Sequence, residues 1–112
     1  MICFLTLFAE DIERTAGVYR LLGLHFTPER HGTGPLHLAS AANGLVVEIY
    51  PGKDTASPGM MIGIEVADLA AVRARLADAG VHLQRDIERI GGEKRLIAVD
   101  PEGRRIFVRE TA

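Results

Sequence analysis

The chain has 112 residues, 47% of them hydrophobic and 25% charged, with a formal net charge of −2 at pH 7. That length fits one domain with a modest core, and the composition is that of a water-soluble globular protein. It offers no basic field for nucleic acid, no apolar run near the ~20 residues of a membrane span, no signal-peptide start or cleavage site, and in Cys3 only one thiol, too few for an internal disulfide or a Cys-type zinc site.

A cytoplasmic, single-domain protein spanning 1–112 is the expectation, and the elements follow in order. Residues 2–9 alternate as a strand, with Cys3, Leu5 and Leu7 on one face and Phe4, Thr6 and Phe8 on the other. On that phase Cys3 faces the helix as an inert buried thiol. Asp11 is an N-cap for a helix over 12–22, and Gly23 is its C′ residue. Residues 24–29 form a short strand, and His31-Gly32-Thr33-Gly34-Pro35 is a loop by composition. Its glycines precede no helix, so it is a poor phosphate cradle. Strands over 36–41 and 45–50 are joined at Asn43-Gly44, a strong short hairpin signal. Residues 51–58 read as a linker.

The pattern then restarts. A strand over 61–66 leads to Asp68, which caps a helix through about residue 79, with Leu69, Val72 and Leu76 as its buried stripe and Gly80 as its stop. Strands over 81–86, 94–99 and 104–109 follow, the last entered through the turn Asp100-Pro101-Glu102-Gly103. Asp11 and Asp68 lie 57 residues apart, as do Gly23 and Gly80, His25 and His82, and Leu5 and Ile62. His25 and His82, at matching strand starts, read as architectural. Agreement of caps, reversals and core pattern marks an internal repeat. The fold class is therefore α+β: two βαβββ modules, about 1–53 and 60–112, forming a curved mixed sheet whose open faces make a concave cup.

Strand phase predicts what lines that cup. If Leu45, Val47 and Ile49 face the helix, then Val46, Glu48 and Tyr50 face the cup. The two-residue Asn43-Gly44 turn sets Ala39 opposite Glu48 and His37 opposite Tyr50. Phe4, Thr6, Phe8, Met61, Gly63, Glu65, Arg105, Phe107 and Arg109 complete the set, with His31 at the mouth. Such an apolar surface with a few polar groups suits a small organic ligand, and its aromatics favour a flat one. The aromatics also suit a cup packed shut by its own side chains. Glu48 is either the polar anchor or general base of a site, or a structural partner of Arg105 or Arg109. His37 is either a pocket base or a satisfied strand histidine.

The order of elements, with Phe4-Leu5-Thr6-Leu7 leading to Asp11 and Asp100-Pro101-Glu102-Gly103-Arg104-Arg105-Ile106 near the end, resembles the vicinal oxygen chelate superfamily. That group includes glyoxalase I, fosfomycin-resistance enzymes, extradiol dioxygenases and bleomycin-resistance proteins. The resemblance implies the paired-module fold and homodimers of C2 symmetry. Its metalloenzymes carry ligands on the first and last strands of each module, positions that fall here on Phe4, Glu48, Met61 and Phe107. The two in last-strand position, Glu48 and Phe107, are 59 apart, so the second module carries two extra residues near 90–94. Only Glu48 can ligate, and catalytic metal sites use about three protein ligands. The resemblance thus implies no metal at those positions, no cofactor, and neither the glyoxalase I nor the dioxygenase mechanism as those enzymes run it.

The leading expectation is a protein of the bleomycin-resistance type that binds or sequesters a small molecule in a metal-free cup, although the sequence given ends a few residues after the last strand. The alternatives are a metal-independent lyase or isomerase with Glu48 as base and His37 as helper, a metalloenzyme with a displaced site built from His37, Glu48 and His31, and an interaction module with a filled cup.

Overall fold

The computed structural model describes residues 1–53 and 59–112. The chain divides into two compact units, Met1–Thr55 and Ala56–Ala112, each a four-stranded mixed sheet with one helix.

In the first unit, β1 (Phe4–Ala9) leads through Asp11 into α1 (Ile12–Leu21), followed by β2 (Thr27–Glu29), β3 (His37–Ala42) and β4 (Leu45–Pro51). The Asp11 carboxylate accepts from Arg14 N–H at 3.0 Å, filling one of the donors that a helix start leaves open. At the other end Leu24 N–H reaches back to the Tyr19 carbonyl, and Gly23 takes φ of 101° to make that reversal. Asn43 and Gly44 both have positive φ, 54° and 83°, as a two-residue hairpin demands. The strand order is β1-β4-β3-β2, with β1 parallel to β4 and the other pairs antiparallel. Leu7, Ala9, Leu38 and Ile49, on the helix side of the sheet, are buried with Ala16, Tyr19 and Leu22 of the helix segment.

The second unit repeats this plan with β5 (Met61–Val66), α2 (Leu69–Asp78), β6 (Leu83–Ile90), β7 (Glu93–Val99) and β8 (Arg105–Glu110), in the order β5-β8-β7-β6. Asp68 accepts from Ala71 N–H at 3.0 Å, and Val81 N–H bonds the Leu76 carbonyl, each 57 residues beyond its counterpart. Leu69, Val72, Leu76, Leu96, Ile106 and Val108 form the core.

Several expected boundaries move. β1 starts at Phe4, so Cys3 lies outside it and is exposed rather than buried against the helix. β2 keeps only Thr27–Glu29 of the expected 24–29. β6 runs to Ile90, well beyond residue 86, through two register shifts that let a mostly polar stretch stay paired with β7. Arg104 is not the first residue of the last strand. Its side chain turns back to the Asp100 carboxylate at 2.7 Å, and both are buried. Pro51 belongs to β4, and 54–58 of the expected linker fall outside the described residues.

Candidate ligand-binding face and histidine cluster

The face of the first sheet away from α1 is built in rows across the strands. Thr6 on β1 is level with Glu48 on β4, which is level with Ala39 on β3 and, through it, Thr27 on β2. The next row runs from Phe8 to Tyr50, and Glu29 stands opposite His37. Phe4, Thr6, Phe8, Glu48 and Tyr50 therefore share this face with His37, as the alternation in the sequence predicts. With His31 the first five line an open hollow of about 410 Å³. Phe4 and Phe8 are exposed there, 57% and 44%, which is far more than large apolar side chains of a core show.

Contacts order the polar part of the face. The rings of His37 and Tyr50 stack at 4.0 Å with 10° between planes, and Phe8 leans on Tyr50 at 6.4 Å. Glu48 is 16% exposed, with an oxygen 3.7 Å from His37 Nε2. Desolvation first, and the neighbouring Glu48 carboxylate second, push the Tyr50 phenol above its ordinary range. Tyr50 accordingly stays protonated as a hydrogen-bond donor beside that carboxylate. The expected alternative partner Arg109 is engaged within its own unit, by Glu65 at 3.4 Å and Glu93 at 3.6 Å.

His37 is almost fully buried at 1% exposure, and both its nitrogens have neighbours: Nδ1 meets the Pro35 carbonyl at 3.2 Å and Nε2 meets Glu29 Oε1 at 3.1 Å. Both ring nitrogens thus face oxygen acceptors, on a side chain that borders the face. His31 comes back over the same spot, its Nε2 2.8 Å from Glu29 Oε1 and its ring 5.1 Å from that of His37. These hydrogen bonds, that from His37 foremost, hold the Glu29 carboxyl below its usual range. Glu29 is the residue that sequence reasoning missed. Its only signal was a place on the strand beside His37, and the loop that folds His31 back carries no periodicity. His25 and His82 are exposed at the strand approaches, and the His82 carbonyl accepts from Val99 N–H at 3.0 Å.

The second sheet offers a different face. Met61, Gly63 and Glu65 on β5 are level with Arg105, Phe107 and Arg109 on β8. Phe107 lies under the Arg95 guanidinium at 5.4 Å, and both line a hollow of about 270 Å³ with Met61, Arg85 and Glu88. Arg105 is exposed beside them. Of the four positions at which the superfamily resemblance puts metal ligands, Phe4 and Phe107 offer no donor atom and Met61 only a weakly donating thioether, which leaves Glu48 as the one hard donor.

Comparison with known proteins accounts for this architecture. A family model described as the Glyoxalase/Bleomycin resistance protein/Dioxygenase superfamily matches residues 2–108. Oxidase ChaP-H2 superposes with a TM-score of 0.80 at 18% identity, covering 100% of this chain and 94% of its own. TnmS3, an antibiotic binding protein from Streptomyces sp. CB03234, gives 0.77 at 18%, covering 100% and 96%. Lactoylglutathione lyase from Agrobacterium tumefaciens gives 0.65 at 16%, covering 98% and 92%. No curated protein sequence matches. At such identities the structural likeness concerns the fold, which a lyase, an oxidase and a binding protein share. Among the described residues no helix is long and apolar enough to cross a membrane. With its family model spanning nearly the whole chain and both βαβββ modules present, the protein belongs to the glyoxalase, bleomycin resistance protein and dioxygenase superfamily.

Proposed function

We propose that this chain is a small-molecule binding protein of the bleomycin-resistance kind, which sequesters a flat, largely apolar compound bearing one polar end. The observation that carries the reading is the first module's face: exposed Phe4 and Phe8 beside Tyr50 supply stacking area, and the half-sheltered Glu48 supplies a single carboxylate among them. The ligand is held by these side chains directly, not through an ion at the superfamily's metal positions. TnmS3, an antibiotic binding protein, has the same fold, which supports this reading. The reading treats residues 1–112 as one domain and takes Met61, Arg105, Phe107 and Arg109 of the second module as further ligand contacts.

A thermal-shift screen of aromatic natural products and antibiotics supplies a ligand, and calorimetry with Glu48→Gln tests the anchor. The variant should melt as the parent does but bind about 1.5–3 kcal/mol more weakly, the scale of a lost charged hydrogen bond. A variant that melts lower and binds equally well would remove Glu48 from the site. A second reading, Glu48 as general base of a lyase or isomerase, draws on the buried His37 beside it, 3.7 Å away. It requires turnover that the same variant abolishes while binding persists.

The proposal includes a cytoplasmic C2 homodimer. Its support is the exposed Phe4, Phe8, Leu36, Met61 and Ile90, together with strands at both edges of each sheet. Light scattering at micromolar concentration should give twice the 12.2 kDa chain mass, and the monomer mass alone would contradict it.

A further inference from the structure

Glu29, His31 and His37 each offer one donor atom, and these atoms all lie within 4.8 Å of one another. None of the three stands at a position where the superfamily resemblance puts a metal ligand. Their convergence has local causes. Antiparallel pairing sets Glu29 opposite His37, and a turn closed by Gly34 N–H on the His31 carbonyl at 2.9 Å carries His31 back over both.

The electronic state of the cluster follows from the Pro35 carbonyl. A carbonyl can only accept, so the His37 nitrogen facing it, Nδ1, carries the proton. In the neutral ring Nε2 then keeps a free lone pair. That lone pair faces Glu29 Oε1 at 3.1 Å and Glu48 at 3.7 Å, while the same Glu29 oxygen is 2.8 Å from His31 Nε2. Lone pairs and carboxylate oxygens at such spacings repel unless a positive centre stands among them, either an added proton or a cation. Two imidazole nitrogens and one carboxylate are the donor set of three-ligand sites for zinc and its neighbours, and an N–H to carbonyl bond from the ligating histidine is the usual outer support.

We propose that Glu29, His31 and His37 form a site for one divalent first-row transition ion, such as Zn²⁺. Two imidazoles disfavour the hard ions Mg²⁺ and Ca²⁺. His31 is well exposed, which gives the ion its entry from solvent, and Glu48 lies 3.7 Å from His37 Nε2. The site adjoins the ligand-binding hollow, which His31 also lines, but it does not depend on that reading, because it is tested with metal alone.

The test uses the full chain, free of any affinity tag, stripped with chelator and titrated with ZnCl₂ by calorimetry. One saturating equivalent per chain is expected, together with a rise in melting temperature. His31→Ala and Glu29→Gln alter exposed or half-exposed side chains and should still fold without metal, each judged against its own metal-free melt. Each should weaken zinc by more than about a hundredfold, since loss of an outer partner alone costs roughly 10–100-fold. Absence of saturable binding at micromolar zinc would overturn the site and leave a proton as the positive centre. Unaltered zinc binding in both variants, or equal binding of MgCl₂, would overturn it as well.

Discussion

The two modules are alike where they fold and unlike where they face the open side of the sheet. Both helices start on an aspartate and end on a left-handed glycine, and both sheets place the first strand parallel to the last. The open faces have diverged. The first carries Phe4, Thr6, Phe8, Glu48 and Tyr50 with two histidines, and the second carries Met61 and Phe107 among charged groups. Core and caps answer to the requirement for a folded module, which both halves share. The open face answers only to what it touches, so it is free to differ.

The means of holding the final hairpin also differ, and this offers the sharpest way to break the likeness. Module one uses the two-residue Asn43-Gly44 turn, with its side chains exposed. Module two uses a buried ion pair: Asp100 accepts from the backbone N–H groups of Glu102 and Arg104 at 2.9 and 3.0 Å, and from Arg104 Nε at 2.7 Å. Asp100→Ala leaves the Arg104 charge buried without its carboxylate and should cost about 3–5 kcal/mol. Urea unfolding followed by circular dichroism measures it, and a loss below about 1 kcal/mol would contradict the role given to the pair. Both tyrosines, Tyr19 and Tyr50, belong to the first module, so tyrosine emission in the same experiment tells whether that module falls with the second.

A smaller effect tests the likeness itself. Asp11→Ala and Asp68→Ala each delete one carboxylate bond to a helix N–H, at the same 3.0 Å, and each should cost about 1 kcal/mol by urea unfolding. Losses differing more than about twofold would show that the caps are not equivalent. The second helix does have additional ties. Glu110 accepts from Leu69 N–H at 3.0 Å, and Arg73 grips Asp86 through two bonds, of 3.0 and 2.7 Å. That grip lowers the Asp86 carboxyl to about 2, with help from Ile87 N–H.

What could be read from the sequence follows the same division. The caps, the Asn43-Gly44 hairpin, the Asp100–Gly103 turn and the 57-residue repeat are each signalled by local chemistry, and strand phase alone put Thr6, Glu48 and Tyr50 on one face. Other features escaped. β6 extends past the expected residue 86 through Glu88 and Arg89 to Ile90, where charged side chains hide the strand period. Cys3 sits one residue before its strand begins, so extrapolating the alternation buried it wrongly. Glu29 and His31 meet His37 through strand pairing and a folded loop, which no single-strand pattern encodes.

The pairing of first strand with last has a bearing on how the chain is made. Phe4 is bonded in register to Val46, and Met61 to Arg105. During synthesis β1 therefore waits for β4 to emerge, and β5 waits for β8, while the antiparallel hairpins between them can form as soon as they appear. Through that interval each module shows an unpaired apolar edge to the surrounding solution. The parallel seam is accordingly the last part of each sheet to zip. An arrest in translation after α1 or α2 leaves an orphaned strand ready to mispair, which makes the rate of elongation across each module a determinant of yield.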